Sequence, residues 1–203
     1  MLELKDVNIN NGDKPIASHL SFYVGEGEIM EIAGRAECGK SSILKCIMGM
    51  MPTMGGYITL EGEVLTPRST EYFRKLMGYL PQDYGVSGMH VSELFDTLMN
   101  LEVNRHRQAT KQSLYREWNM LGIDHSLFAA EIESIDSATL QRVMLSLVAC
   151  VERKVLLLDE PTSRQDEHGR QLIEDYLRDK AELGTALLMT RQADCDLTIS
   201  YKG

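Results

Sequence analysis

Eight residues near the start of the chain have the types and spacing of a loop that binds phosphate groups. The run Gly34-Arg35-Ala36-Glu37-Cys38-Gly39-Lys40-Ser41 matches the pattern G-x-x-x-x-G-K-[ST]. In such a loop the glycines let the backbone N–H groups point at the phosphates, the lysine reaches the terminal phosphates, and the hydroxyl coordinates magnesium. The candidate phosphate-binding residues are this run and the next residue, Ser42.

A pair of carboxylates follows an apolar run later in the chain. The run Val155-Leu156-Leu157-Leu158 is typical of a buried strand, and Asp159 and Glu160 come directly after it. Ligands bind at the carboxyl ends of the strands in α/β sheets. We therefore expect Asp159 to anchor a magnesium ion through water and Glu160 to polarise an attacking water. Together with the phosphate loop, this pair indicates hydrolysis of a phosphoanhydride.

The hydrophobic pattern predicts the elements that must position these residues. Apolar residues alternate over positions 2–33, which predicts strands, and the phosphate loop follows directly. Helices are predicted over 41–51, from about 138 onward and over about 166–183, and further strands over 57–60, 77–80, 155–158, 186–189 and about 197–201. Between about 91 and 130 the apolar spacing becomes three and four, which predicts a mostly helical insertion. The alternation of strands and helices predicts a parallel sheet covered on both faces.

The composition disfavours several classes of protein. With 21 basic and 30 acidic residues the formal charge is −9, so there is no overall attraction for a polyanion and no nucleic-acid partner is expected. No apolar run approaches the roughly 20 residues of a membrane span. No signal-peptide pattern opens the sequence. These observations predict a cytoplasmic protein whose 203 residues form a single domain.

The motifs and their order resemble those of the ATP-binding cassette (ABC) transporter ATPases, over residues 2–203. The motifs that carry the resemblance are Walker A at Gly34–Ser41, the Q-loop at Leu80-Pro81-Gln82, Walker B with its turn at Leu158–Ser163, and the D-loop aspartate at Asp166. Gln141-Arg142-Val143 is similar to the start of the helix that follows the family's signature sequence. The resemblance implies that Gln82 touches magnesium and the catalytic water.

The resemblance also implies a fold and a function. The fold is α/β, with a P-loop NTPase core of mostly parallel sheet, an N-terminal antiparallel β subdomain and an inserted α-helical subdomain at about 83–135. The function is that of an ATP-binding and ATP-hydrolysing subunit, which closes around Mg²⁺-ATP as a homodimer or heterodimer and drives a separate integral membrane subunit from the inner face of the membrane. The implied magnesium ligands are Ser41, Gln82 and Asp159, and the implied catalytic base is Glu160.

The signature sequence is the clearest departure from the family pattern. Its place is filled by Ile135-Asp136-Ser137-Ala138-Thr139, so both glycines and the serine are replaced. In the family this segment comes from the opposite subunit and binds the γ-phosphate with N–H groups at a helix N-terminus. A carboxylate at about 4 Å from a phosphate costs roughly 4 kcal/mol at an effective dielectric of 20, which predicts a weakened half-site. Alternatively, Asp136 or Ser137 simply caps the helix.

Three further positions also depart from the family. Asn11 stands near the place of the aromatic residue that stacks on adenine, and no aromatic residue precedes Phe22, so we expect modest nucleotide affinity. Arg191 replaces the switch histidine and is a candidate catalytic residue, because its guanidinium can clamp a γ-phosphate. Glu37 replaces a glycine. In a homodimer Arg191 and Asp136 would converge on one γ-phosphate and attract each other, unless the two never approach.

These departures leave two functions open. The first is the ATPase subunit of a transporter, which Lys40 and Glu160 favour. The second is a regulatory ABC-type module that binds ATP with little or no hydrolysis and signals to a membrane protein, which the altered signature and the missing histidine favour. A soluble cassette acting on ribosomes or DNA is disfavoured by the acidic charge. No residue indicates the transported substrate or the direction of transport.

Overall fold

The computed structural model describes residues 1–12, 14–104 and 109–202. The strands are β1 (Leu2–Asn11), β2 (Lys14–Val24), β3 (Ile29–Gly34), β4 (Gly55–Leu60), β5 (Glu63–Val64), β6 (Met77–Leu80), β7 (Val155–Leu158), β8 (Ala186–Gln192) and β9 (Thr198–Tyr201). The α-helices are α1 (Lys40–Ile47), α2 (Thr70–Leu76), α3 (Val91–Asn100), α4 (Lys111–Met120), α5 (Ser137–Ala149) and α6 (Glu167–Glu182). Short 3₁₀ turns lie at Glu102–Asn104, His125–Ala129 and Ile132–Ser134.

The strands form two sheets of different kinds. The N-terminal sheet has the order β2-β1-β4-β5 and is antiparallel. The second sheet has the order β6-β7-β8-β3-β9, in which the first four strands run parallel and β9 runs antiparallel to β3. All four residues of β7 are buried, as expected of a strand covered on both faces. The mostly parallel core sheet and the N-terminal antiparallel sheet are therefore confirmed.

The carboxyl ends of the parallel strands bring the candidate residues to one edge of the sheet. The chain leaves β3 at Gly34 into the phosphate loop, and it leaves β6 two residues before Gln82. It leaves β7 directly before Asp159. Arg191 is the next-to-last residue of β8 and pairs with Ala33 of β3. Because these four strands are parallel neighbours, their ends lie side by side.

Two apolar clusters pack on the opposite faces of the core sheet. One fills the space between the two sheets and surrounds α1. The other joins the opposite face of the core sheet to α3, α4, α5 and α6. Trp118, the one tryptophan of the chain, is fully buried in this second cluster, and its Nε1 donates to Ser146 Oγ at 2.8 Å. This hydrogen bond ties α4 to α5.

A polar contact ties α4 to α6 as well. Glu117 Oε2 accepts the Tyr176 hydroxyl at 2.6 Å, and Glu117 Oε1 lies 2.8 Å from Lys180 Nζ. Burial raises the pKa of Tyr176 well above its usual value, so the hydroxyl stays protonated and donates a hydrogen bond to the carboxylate. Helix α4 is thereby fixed to helix α6.

The main differences from the predicted elements lie between residues 47 and 76. Helix α1 ends at Ile47 instead of residue 51, because Gly49 takes φ +65° and Met50 N–H donates to the Lys45 carbonyl at 2.8 Å, which closes the helix. Helix α2 was not predicted, since seven residues with one buried side chain, Phe73, are too short for a periodic pattern. The extent of a helical subdomain at about 83–135 stays a prediction.

Membrane-spanning helices are absent from the part of the chain that the structure describes. None of its helices has the length and the apolar content needed to cross a membrane.

Candidate functional site

The phosphate loop connects β3 to α1 through a glycine in an unusual conformation. Gly39 caps α1 with φ 98°, in the left-handed region that favours glycine. A Cβ atom at this position would lie 2.1 Å from Ile16 Cγ2 of β2, so the packing also requires glycine. Lys40 and Ser41 open the helix, and their N–H groups have no intrahelical acceptor. This helix end therefore offers N–H donors to an anion.

Lys40 turns back across the loop and contacts a carboxylate. Its Nζ donates to the Gly34 carbonyl at 3.0 Å and to the Arg35 carbonyl at 2.9 Å. It also lies 3.3 Å from Glu160 Oε1. Lys40 is 4% exposed and Glu160 is 8% exposed, so the two form a buried ion pair. The phosphate loop and the carboxylate pair predicted from sequence are thus brought together.

The outer part of the loop is exposed and contains a strained residue. Glu37 takes φ 59°, in the left-handed region, at the position where the resemblance expects glycine. A non-glycine residue costs roughly 1–2 kcal/mol there. Arg35 is exposed and its Nε lies 3.3 Å from Asp194 Oδ1, whereas Cys38 is half-buried. Ala36 is exposed, and Ser41 and Ser42 are half-buried at the start of α1.

Thr190 fixes both members of the carboxylate pair. Its hydroxyl donates to Asp159 Oδ1 at 2.7 Å and accepts the Glu160 N–H at 2.9 Å. Asp159 is 3% exposed, and Glu160 takes φ 50°, a left-handed conformation that this hydrogen bond helps to hold. Burial, with the Asp159 charge beside it, raises the pKa of Tyr79 on β6 to about 12. Sequence analysis missed Thr190, although it immediately precedes the candidate Arg191.

Gln82 completes the surroundings of the Glu160 carboxylate. Its Nε2 donates to Glu160 Oε2 at 3.1 Å, so the carboxylate is held between an ammonium and an amide. The backbone carbonyl of Gln82 accepts a hydrogen bond from Arg164 Nη2 at 3.0 Å. The Arg164 guanidinium lies over the Tyr84 ring, 5.0 Å from its centroid.

Gln141 is a second residue that sequence analysis did not assign to the site. It lies on α5 and is 2% exposed. Its Nε2 donates to the Glu160 carbonyl at 3.1 Å and to Ser163 Oγ at 3.3 Å, and its Oε1 accepts the Arg164 N–H at 3.1 Å. These bonds fix the turn after the carboxylates. A glutamine on the apolar face of a helix was the available signal.

Comparison with known proteins agrees with this geometry. The family model for the ABC transporter matches residues 17–163, well over half of the chain. The chain belongs to the ABC transporter family. Within that family it is an ATP-binding ATPase subunit.

Relatives of this ABC subunit act in both directions of transport. The hemin import ATP-binding protein HmuV of Chelativorans sp. (strain BNC1) is 29% identical over 210 residues, which cover 99% of this chain and 79% of HmuV. The Nod factor export ATP-binding protein I of Rhizobium etli is 29% identical over 196 residues, which cover 93% of this chain and 59% of the relative. Equal identity to an import protein and an export protein does not indicate a direction.

Solved structures show the same fold. The ATP-binding subunit of an ABC transporter superimposes with a TM-score of 0.81 at 19% identity, covering 95% of this chain and 79% of that chain. The dimeric bacterial ABC transporter cassette MJ0796 superimposes with a TM-score of 0.79 at 18% identity, covering 94% of this chain and 87% of that chain. The P-loop NTPase fold with an ABC arrangement is therefore confirmed.

The altered signature of this ABC subunit occupies its own helix N-terminus. Asp136 caps α5, and its Oδ1 accepts the Ala138 N–H at 3.0 Å and the Thr139 N–H at 2.9 Å. The hydrogen bond from Thr139 holds the pKa of Asp136 below its usual value. Ser137 is exposed as the first helical residue. The capping interpretation is confirmed, and the weakened half-site stays a prediction.

Two other candidates have contacts within the chain. Asp166 caps α6 by accepting the Gly169 N–H at 2.7 Å, so a role at the nucleotide stays a prediction. Arg191 Nε donates to Glu31 Oε1 at 2.9 Å, a partner that sequence analysis did not consider. Both the catalytic role of Arg191 and its attraction to Asp136 across a dimer stay predictions. Asn11 ends β1, and its side chain lies outside what the structure describes.

The Thr190→Val variant tests whether the threonine hydroxyl anchors the carboxylates. We expect its free energy of unfolding to fall by roughly 2 kcal/mol, because Asp159 Oδ1 and the Glu160 N–H lose a buried partner. Urea unfolding followed by the fluorescence of Trp118 measures this loss. Thr198→Val, at an exposed position of β9, is the matched control and should be unchanged. Equal effects of the two substitutions would contradict the anchoring role.

Proposed function

We propose that the chain binds Mg²⁺-ATP at the phosphate loop and hydrolyses it with Glu160 as the catalytic base. The supporting observation is the buried Glu160 carboxylate, which lies 3.3 Å from Lys40 Nζ and 3.1 Å from Gln82 Nε2 at the carboxyl edge of the sheet. A carboxylate at this place lies next to the lysine that would bind the terminal phosphates. It is therefore within reach of a water that attacks the γ-phosphate.

The surrounding oxygen atoms suit a magnesium ion. The Ser41 hydroxyl, the Asp159 carboxylate and the Gln82 amide oxygen are hard ligands of the kind that Mg²⁺ prefers. Bound Mg²⁺ would neutralise charge on the phosphate oxygens. Asp159 is held in place by the Thr190 hydroxyl, which leaves its second carboxylate oxygen for the ion or its water.

Different residues have separate roles in the proposed hydrolysis of ATP. Lys40 and the N–H groups at the start of α1 bind the terminal phosphates, which takes the ammonium away from Glu160. Glu160 then accepts a proton from the attacking water, and Gln82 orients that water. Thr190 and Gln141 hold the backbone on both sides of the Glu160 peptide, so the carboxylate keeps a fixed position.

Calorimetric titration and phosphate release test this site directly. We expect ATP binding and turnover in the presence of Mg²⁺, and loss of turnover when EDTA removes the metal. A purified protein that does not bind ATP at all would contradict the proposed site.

We propose further that the chain works as a dimer with a second ABC subunit, on the cytoplasmic side of the membrane, bound to a separate integral membrane subunit. Membership of the ABC transporter family supports this assembly. The second subunit is an identical or a different ABC chain. Co-purification of a membrane protein with the tagged chain from detergent-solubilised membranes is the test, and its failure would contradict the peripheral location.

A regulatory module with little hydrolysis is the second candidate function. The observation that favours it is the Asp136 carboxylate on the N–H groups of Ala138 and Thr139. The γ-phosphate of ATP bound to the opposite subunit would have to displace this carboxylate and would be repelled by its charge. Binding without turnover would follow if the repulsion prevents full closure.

The Asp136→Asn variant separates the two functions. Asparagine caps a helix as well as aspartate does but carries no charge, so we expect steady-state ATP hydrolysis to rise by about tenfold, which corresponds to roughly 1.4 kcal/mol. Phosphate release at saturating ATP, with the membrane partner present, measures the change. Asp124→Asn is the matched control, since Asp124 caps the turn at His125–Ala129 by accepting the Ser126 N–H at 2.8 Å.

Three results are informative in this experiment. A rise for Asp136→Asn alone supports an ATPase that is limited by its own signature. Equal and measurable rates of hydrolysis in the parent and both variants would contradict a role for the Asp136 charge. Retained ATP binding with no hydrolysis in any of the three proteins would favour the regulatory module.

A further inference from the structure

A polar cavity extends from Glu160 along the face of the core sheet that packs against α6. Its volume is about 490 Å³. Its charged walls include Glu31 on β3, Arg191 on β8, Glu174 on α6 and Lys202 after β9. The cavity therefore connects the proposed catalytic base to the ion pair between Glu31 and Arg191.

Glu31 is an unusual residue for the middle of a core strand. It lies between the buried residues Met30 and Ile32 and is itself 7% exposed. One carboxylate oxygen, Oε1, accepts from Arg191 Nε at 2.9 Å. The other, Oε2, is buried and accepts no hydrogen bond from any residue that the structure describes. A buried carboxylate needs a cationic partner, so Glu31 depends on Arg191.

Arg191 is the movable member of this pair. Its side chain is 52% exposed, whereas that of Glu31 is 9% exposed. The contact uses Nε alone, and the two terminal nitrogens of the guanidinium make no hydrogen bond within the described residues, so one hydrogen bond holds Arg191 in place. A guanidinium of this kind matches the geometry of a phosphate and stays charged at all relevant pH values.

We propose that Glu31 is a positioning residue that holds Arg191 in the absence of ATP and yields it to the γ-phosphate when ATP binds. The proposal rests on the proposed function, because it needs Mg²⁺-ATP beside Glu160. ADP has no γ-phosphate, so with ADP the contact between Glu31 and Arg191 persists. Breaking this contact costs free energy when ATP binds but not when ADP binds. Glu31 therefore lowers the affinity for ATP relative to ADP.

The ratio of ATP affinity to ADP affinity is the quantity that tests this role. In Glu31→Gln the side chain keeps its shape and a hydrogen-bond acceptor but loses its charge, so Arg191 is released more readily. We expect the ratio, measured by calorimetric titration of each nucleotide with Mg²⁺, to rise about fivefold, or roughly 1 kcal/mol. A merely structural role of Glu31 would change both affinities together and leave the ratio constant.

Two further variants separate the proposed role from a general effect of charge. Glu174→Gln removes the same charge from the same cavity, where Glu174 pairs with Lys202 at 2.9 Å, and should leave the ratio within about twofold of the parent. The double variant with Glu31→Gln and Arg191→Gln should lose the rise. It contains no unpaired buried carboxylate, so it is expected to fold even if Arg191→Gln alone does not.

Any of three results would overturn the role of Glu31. These are a ratio in Glu31→Gln within about twofold of the parent, an equal rise in Glu174→Gln, or a rise that persists in the double variant. A parent protein that binds neither nucleotide would instead contradict the proposed function itself, so the two failures are distinguishable.

Discussion

Replacement of Lys40 by alanine is expected to reduce the affinity for ATP by at least about 100-fold. The ammonium is the one side-chain cation that contacts the phosphate loop carbonyls of Gly34 and Arg35, within the residues that the structure describes. Truncating one partner of a desolvated charge pair costs about 2–5 kcal/mol, which is the basis of this magnitude. Calorimetric titration with Mg²⁺-ATP measures the loss.

The control for this substitution lies on the same helix. Lys45→Ala removes an exposed lysine from the last turn of α1 and should leave the affinity for ATP unchanged. In Lys40→Ala the Glu160 carboxylate keeps the Gln82 amide as a donor, and the fluorescence of the buried Trp118 reports whether the variant is folded. Unchanged affinity in a folded Lys40→Ala protein would contradict the assignment of the phosphate loop.

Replacement of Glu160 by glutamine is expected to retain ATP binding and reduce turnover by about 10²–10⁴-fold. The amide preserves the size of the side chain and its contact with Gln82 but cannot accept the proton of the attacking water. Because the negative charge beside Lys40 is removed, the lysine is freed for the phosphates, so affinity should be equal to or higher than that of the parent. Phosphate release and calorimetry are measured on the same preparation.

Glu167→Gln provides the matched comparison. Glu167 opens α6 with an exposed side chain that contacts Arg170 at 3.4 Å, so the same chemical change is made outside the site. Its turnover should equal that of the parent. Turnover in Glu160→Gln at the level of Glu167→Gln would show that Glu160 is not the base.

Local sequence patterns predicted most elements of this ABC subunit and the residues of its candidate phosphate site. The phosphate loop, the strand Val155–Leu158 and the pair Asp159 and Glu160 depend on residues that are neighbours in sequence, so spacing alone identifies them. The strand at Met77–Leu80 was predicted with the observed bounds for the same reason. The parallel core sheet follows from the order of these elements.

The contacts that hold the site could not be predicted in this way. Thr190 and Asp159 are 31 positions apart, and Gln82 and Glu160 are 78 apart. Glu31 and Arg191 are 160 positions apart, so neither residue indicates its partner. Such pairs form only when parallel strands distant in sequence become neighbours in the sheet. In the sequence, such a contact is indicated only by a polar residue among apolar ones, as at Glu31 and Gln141.

The Glu117 carboxylate limits how the inserted segment can turn relative to the rest of the chain. Because it receives the Tyr176 hydroxyl and the Lys180 ammonium on separate oxygens, any rotation that separates α4 from α6 must break both contacts at once. Helix α6 begins at its cap, Asp166, shortly after the turn that follows Glu160. Glu117 therefore links the orientation of α4 to that of the helix that begins just after the candidate catalytic carboxylates.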